Sequence, residues 1–215
     1  MSSTKAEDAA LLIAEAIIAG SAAGPTAASP APSSSHSLAT HAVALSDGNK
    51  NTTAQAARVF DEIIARKPEL AAPHIERLIR MLGSDNARVA QTCASALPEL
   101  ARVAPAKVAK HLPKLATAFE VGTAAARLGI IRTYAALCIA SVAYQKRLID
   151  VIEAALSKAD AKTLQQWTEI ILPALKGEPH AQARAVVVAR LEALPRPIAQ
   201  QIATLLGVKL RPATR

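Results

Sequence analysis

Ser84-Asp85-Asn86-Ala87-Arg88-Val89-Ala90-Gln91-Thr92-Cys93-Ala94-Ser95-Ala96-Leu97-Pro98-Glu99-Leu100-Ala101 is the stretch on which the fold turns. Ala90, Cys93, Ala94, Leu97 and Ala101 keep the i, i+3, i+4 spacing of one apolar helical face. Gly83 to Asn86, just ahead, forms a turn that ends in a residue suited to cap a helix N-terminus. The same rhythm returns at Leu148, Ile149, Ile152 and Leu156, and again at Leu164, Trp167, Ile171 and Leu175. Hydrophobic residues make up 51% of the 215 and aromatics only 2%, so Ala and Leu carry the apolar content. Both are strong helix formers, and the bulky residues that favour strands are few. The sequence therefore specifies an all-α domain with close helix contacts and excludes a β-sandwich.

Several short matches point to an internal repeat. Ala57-Arg58-Val59 and Pro68-Glu69-Leu70-Ala71 recur thirty residues on as Ala87-Arg88-Val89 and Pro98-Glu99-Leu100-Ala101. His74-Ile75-x-x-Leu78 recurs as His111-Leu112-x-x-Leu115, thirty-seven residues on. Leu97-Pro98-x-Leu100 recurs as Leu172-Pro173-x-Leu175, a shift of 75. The shift of 75 is two periods of 37 to 38, and Arg88, Arg127 and Lys162 fall 39 and 35 apart, so together these landmarks give a spacing of about 30 to 39 residues, enough for two helices. The helix pairs are expected at roughly 53–82, 86–119, 123–157 and 160–194, with a last helix at about 196–206.

With Ser84-Asp85-Asn86-Ala87-Arg88-Val89 followed by Ala90, Ala94 and Leu97, the chain resembles the HEAT-repeat family over about 155 residues. A proline in the first helix, as at Pro98 and Pro173, is a kink that family tolerates. An acidic residue before the first helix is found at Asp160 but not at Gly122-Thr123. The resemblance implies a right-handed α–α superhelix of about four HEAT-like helix pairs, with second helices lining a concave side. Armadillo-type stacking is the neighbouring alternative.

Composition changes near residue 50. Ser21 to Asn51 is rich in Ala, Ser, Pro and Thr, which cannot bury enough apolar surface to offset its ordering entropy. The expected organisation is a short amphipathic helix within 1–20, a flexible linker over 21–51, the helical-repeat domain at 52–208 and a basic tail at 209–215. The N-terminal segment is thus expected to be largely disordered, with a helix that docks on its own domain. The formal net charge is +8, and residues 51–215 alone carry +10, so the basicity belongs to the folded part. No apolar run reaches the ~18 residues of a membrane span. The apolar stretch Ala9 to Ala19 contains Glu15, follows Glu7 and Asp8, and has no Arg, which suits neither a secretory signal nor a mitochondrial presequence. Cys93 and Cys138 lie in apolar runs and read as buried thiols, compatible with a reducing compartment. These features suggest a soluble, cytoplasmic protein that does not engage membranes.

Few residues could carry chemistry. Phosphate-binding, dinucleotide-binding, zinc-protease and nucleophile-elbow motifs are absent. His36, His41, His74, His111 and His180 do not share metal-ligand spacing, so no metal or cofactor is expected. His74 and His111 hold corresponding repeat positions, which argues for a structural role. The HEAT-like alkylpurine DNA glycosylases resemble the chain in size and basicity. Their chemistry is expected to need a carboxylate beside aromatic rings. Asp150 and Asp160 are candidate carboxylates, but Trp167 lies on an apolar stripe with Leu164 and Ile171.

Charge distribution is the remaining signal. Arg102 to Arg147 holds eight Lys or Arg against one acid, Glu120. Lys107, Lys110 and Lys114 are spaced to line one face of a second helix, and Lys146 and Arg147 lie near the start of the next. An ordinary solvated face is the plain reading of these charges. The functional reading is a non-catalytic scaffold that binds an acidic protein surface through these five residues. A nucleic-acid binder using the same strip is the first alternative, and a glycosylase-like enzyme the second. No small-molecule substrate is indicated. Circular dichroism checks the fold class directly: the spectrum should be strongly helical, with no appreciable strand component.

Overall fold

The computed structural model describes residues 2–22, 38–47 and 49–210. Among these, every regular element is helical. They are α1 (Ser2–Ala22), α2 (Leu38–Ala44), α3 (Lys50–Arg66), α4 (Ile75–Met81), α5 (Ala87–Val103), α6 (Pro105–Ala109), α7 (Leu112–Val121), α8 (Ala124–Ala140), α9 (Val142–Lys158), α10 (Ala161–Ile171), α11 (Gly177–Arg190) and α12 (Arg196–Leu206). Short 3-10 turns occupy Pro68–His74, Leu172–Ala174 and Leu191–Ala193. The all-α class expected from the composition is the fold observed.

Capping decides where the first helix of each pair begins. The Asn49 side chain accepts the Asn51 and Thr52 amides at 3.0 and 3.4 Å, opening α3. Asn86 accepts those of Arg88 and Val89 at 3.1 and 3.4 Å, opening α5. Asp160 accepts those of Lys162 and Thr163, both at 3.1 Å, opening α10. At α8 the Thr123 hydroxyl accepts the Ala126 amide at 3.3 Å, so a hydroxyl does there what an amide or carboxylate does elsewhere. Each such bond satisfies a backbone donor the helix itself leaves free, worth about 1 kcal/mol. The four caps fall at 49, 86, 123 and 160, thirty-seven residues apart each time.

The core keeps the same period. Phe60, Leu97, Tyr134 and Ile171 follow one another at 37-residue steps and are all at most 1% exposed. So do Ala56, Cys93, Ile130 and Trp167, all buried. The thirty-residue match seen in the sequence is a coincidence of letters and is corrected here. Ala57 is buried in the middle of α3, whereas Ala87 is exposed at the start of α5. Pro68 opens a 3-10 turn, whereas Pro98 lies inside α5. The true counterparts of Pro68 are Pro105, Val142 and Pro179, each 37 residues on, where the second member of each pair begins.

The chain divides into two compact units, Met1–Ile130 and Ile131–Arg215, with the division inside α8. In the first unit α1 packs on α3 and α3 on α5, so first helices lie against first helices. The start of α8 continues that order, because Gly129 lets it close on Ala94. A Cβ on Gly129 would stand 2.6 Å from the Ala94 carbonyl oxygen and 2.7 Å from its Cα. Among second helices, α4 packs on α7. In the second unit α9 packs on α11 and α10 on α12. Gln145, buried on α9, donates to the Cys138 carbonyl at 2.9 Å and the Ala174 carbonyl at 3.3 Å, and accepts the Lys176 amide at 3.0 Å. One side chain thus satisfies backbone groups from two helix ends that burial would otherwise leave unpaired. Gly207, at φ +64°, closes α12 in the left-handed conformation that favours glycine.

The flexible linker expected over 21–51 is corrected at both ends. Helix α1 runs to Ala22, and α2 and the start of α3 lie within the remainder. Leu38, His41, Ala42 and Leu45 are buried, with α2 packed on α3. Arg77 donates to the Ala42 carbonyl at 3.2 Å and Thr53 to that of Asp47 at 2.7 Å, which ties the segment down. The packed part of the chain therefore begins before residue 52. Helix α1 buries Ala10 and Ala14 toward α3 and pairs Glu15 with Arg66 at 3.2 Å. Residues 23–37, on which the expected disorder also falls, and tail residues 211–215 lie outside the described residues.

Leu97→Ala should cost about 2–5 kcal/mol, because it hollows the 37-residue core stripe. Gly129→Ala should cost about 1–3 kcal/mol, because the Ala94 backbone it meets cannot swing aside as a flexible side chain would. Thermal unfolding monitored by helicity checks both, and an unchanged midpoint for either would disprove the contact it rests on.

Candidate functional site

The five cations expected to bind a partner are all exposed, but the structure distributes them differently from a single helical row. Lys107 lies on α6, Lys110 follows it, and Lys114 lies on α7. The expected single face is corrected here, because the helix is interrupted at Lys110-His111. Pro105 and Pro113 sit in the first turns of α6 and α7, where a missing amide proton is harmless but a continuous helix is not favoured. The preceding repeat breaks in the same place, and His74 and His111 have nearly identical backbones, φ −102°, ψ 7° and φ −104°, ψ 13°. His74 also packs its ring edge-on to Phe60, 6.2 Å between centroids. Burial, followed by the charge of Arg77, lowers its pKa from the ordinary 6.5.

Lys114 is engaged. Its Nζ lies 2.7 Å from the Glu76 carboxylate, linking α7 to α4. Arg80 approaches the same carboxylate at 3.6 Å. The hydrogen bond from Lys114, then its charge, holds Glu76 below the usual 4.5. Lys107 and Lys110 have no carboxylate within ion-pair distance among the described residues. The same holds for Lys146 and Arg147, which lie in the second unit near the start of α9.

The 37-residue step adds what inspection of the charges alone missed. Lys110, Arg147 and Arg184 occupy one repeat position on successive second elements. Arg184 is half-buried and donates to the Leu206 carbonyl at 3.1 Å, at the C-terminal end of α12, where a cation is favoured. A period of 37 rather than a range of spacings would have revealed this row from the sequence.

The other candidate chemistry is not assembled. Trp167 is 5% exposed and lines the core with Leu164 and Ile171. The Asp160 carboxylate is occupied by the start of α10; the Thr163 hydroxyl, then the backbone amides, hold its pKa below 3.8. Asp150 is exposed on α9. Burial pushes the thiols of Cys93 and Cys138 up to about 12, which leaves them protonated and unreactive. No three His, Cys, Asp or Glu side chains cluster as metal ligands among the described residues. One groove, among α1, α3 and α5, mixes Glu7, Asp61 and Glu62 with Arg58 and Arg88. There Asp61 pairs with Arg88. Burial raises the pKa of Asp61, with Thr92 and Arg88 opposing. A second, between α10 and α12, is lined by Gln165, Glu169, Gln200 and Thr204 among others. Neither has an aromatic ring beside a carboxylate. No described helix is long and apolar enough to cross a membrane.

These features define an all-α protein built on a 37-residue helix pair, with cations at one repeat position of three second elements. No protein-family model matches the chain, and no curated protein matches it. Among solved structures it is similar to a crystal structure described as an engineered protein, from the Northeast Structural Genomics Consortium. The TM-score is 0.58 at 17% identity, over 94% of this chain and 90% of that one. At that identity the likeness concerns the helical fold alone.

Carboxyl NMR titration tests the ion pair between Lys114 and Glu76. Glu76 should titrate below 4.5 in the native protein. Lys114→Ala should move it up toward that value. A Glu76 pKa unaffected by the substitution would mean the α4–α7 pair does not form.

Proposed function

We propose that the protein is a non-catalytic helical-repeat scaffold, HEAT-like in organisation, that binds an acidic protein surface through cations on its second helices. The observation that carries this reading is the shared repeat position of Lys110 and Arg147, both exposed and neither paired with an acid among the described residues. Each of the two units thus offers a cation at the same repeat position, and such exposed cations suit an anionic partner. Lys107 and Lys146 are the neighbouring exposed cations, one in each unit. Lys114 contributes less, because a new partner would first have to displace Glu76. Two buried free thiols fit a reducing, cytoplasmic setting.

A nucleic-acid ligand would meet the same cations through its phosphates. Aromatic residues are scarce and Trp167 and Tyr134 are buried, so no stacking platform for single strands supports that alternative. It would rest on duplex backbone contact alone.

The test compares the native chain with a Lys107→Glu, Lys110→Glu double variant. Both sites are exposed and unpaired, so helicity and melting should be unchanged. Capture of partners from the source cell should fall at least about tenfold for the double variant, and random duplex should not compete. Competition by random duplex would favour nucleic acid instead, as would a log-affinity against log-salt slope of about −0.9 per phosphate neutralised. Capture unaffected by the double variant would reduce these cations to a solvated face.

A further inference from the structure

The corner where α8 turns into α9 carries two apolar side chains in solvent, Ile139 at 72% and Val142 at 56% exposure. The repeat makes this departure specific. Ile139 stands where the other repeats have Ala65, Arg102 and Lys176, and Val142 stands where they have Pro68, Pro105 and Pro179. Two large β-branched residues thus occupy positions that elsewhere hold cations, a small residue or helix-opening prolines. Exposed cations surround them. Arg132 lies two turns before Ile139 on α8, and Lys146 lies one turn after Val142 on α9, beside Arg147. None has a carboxylate within ion-pair distance among the described residues.

The chain carries the complementary surface itself. Residues 1–22 hold Lys5 against Glu7, Asp8 and Glu15, an acidic element in a chain of net +8. Ala10 and Ala14 face α3 and are buried. Leu12, two residues from each, points the opposite way and is 65% exposed. Asp8, one turn before Leu12, shares that outer face and is exposed. Glu15 lies at its flank, paired with Arg66 but half-exposed.

We propose that the α8–α9 corner of one molecule docks the outer face of α1 of a second copy of this chain. Leu12 meets Ile139 and Val142, and Asp8 faces Lys146, with Arg132 and Arg147 at the rim. The apolar centre supplies most of the affinity and the charges supply orientation. One helix face on one corner covers less than the roughly 1,200–2,000 Å² of a stable interface, so the association is weak. The two surfaces differ, so the contact is heterologous and leaves one of each free at the ends of any assembly.

Sedimentation equilibrium of the full chain at low salt tests this. The weight-average mass should rise between about 10 µM and about 1 mM, and less so at high salt. Ile139→Asp and Leu12→Asp should each weaken association at least about tenfold with helicity unchanged, because both sites are exposed. Asp8→Lys and Lys146→Glu should each weaken it about two- to fivefold, and their combination should restore it to within about twofold. Lys110→Glu should leave it unaltered. A constant monomer mass across that range overturns the proposal, as does a rise insensitive to both Ile139→Asp and Leu12→Asp. This measurement uses the chain alone, so its failure would leave the acidic-partner reading standing.

Discussion

Four side-chain caps set the phase of this protein. Asn49, Asn86, Thr123 and Asp160 each hold the backbone amides at the start of a first helix. Eleven residues after each cap comes a fully buried core residue: Phe60, Leu97, Tyr134 and Ile171. Eleven residues are close to three turns at 3.6 residues each, so the cap fixes which side of the helix faces inward. A helix begun one residue late would turn every later side chain by about 100° and bring Pro98 or Arg132 toward the place of its neighbour. The cap costs little sequence and is worth about 1 kcal/mol in itself. Its larger effect is on register.

The composition follows from how closely these helices approach. Ala56, Ala57, Ala94, Ala96 and Ala101 are buried where bulkier residues would force the helices apart. At Gly129 even a methyl group is excluded by the Ala94 backbone. Close packing of this kind gains many short-range contacts while burying little area per side chain. Some of the polar groups in the interior serve backbone. Gln145 is the clearest instance, since its amide serves two carbonyls and one amide hydrogen where continuous helix is interrupted.

The second members of the pairs are more varied than the first, and this variation leaves room for function. Pro68 and Pro105 break their elements into a 3-10 turn or short helix followed by a second helix, whereas Val142 opens an uninterrupted α9. Cations survive this change of local structure at one repeat position, Lys110 and Arg147, and Arg184 follows them. Pro73 holds this position in the first pair, but a charge retained from Lys110 to Arg147 while the backbone around it changes marks a better candidate for binding than a run of charges on one helix. The apolar departures at Ile139 and Val142 stand out by the same comparison.

The amino-acid sequence determined the helical class, because Ala- and Leu-rich stretches with 3.6-residue apolar periodicity and few aromatics leave no other fold. It also placed most helix boundaries, since Gly83–Asn86 and Asp160 announce themselves chemically, whereas Gly122-Thr123 lacks the acidic residue expected there. It showed the period only among competing spacings: His74 and His111 lie thirty-seven residues apart, but other matches fall at thirty and seventy-five. The caps are Asn, Asn, Thr and Asp, and the core stripe is Phe, Leu, Tyr and Ile, so the repeat is one of physical role and not of residue identity. Letter matches thirty residues apart hid it, because an Ala-rich chain offers many chance identities. Nor could composition show that Leu38 to Leu45 packs on α3, since an Ser- and Ala-rich segment reads as linker until a neighbouring face exists to bury its few apolar side chains. The engagement of Lys114 was decided the same way: only the packing of α7 on α4 brings it within 2.7 Å of Glu76, thirty-eight residues away in the chain. Local periodicity sets which residues are helical, but which helix faces meet depends on contacts between segments far apart in sequence, and those exist only in the folded protein.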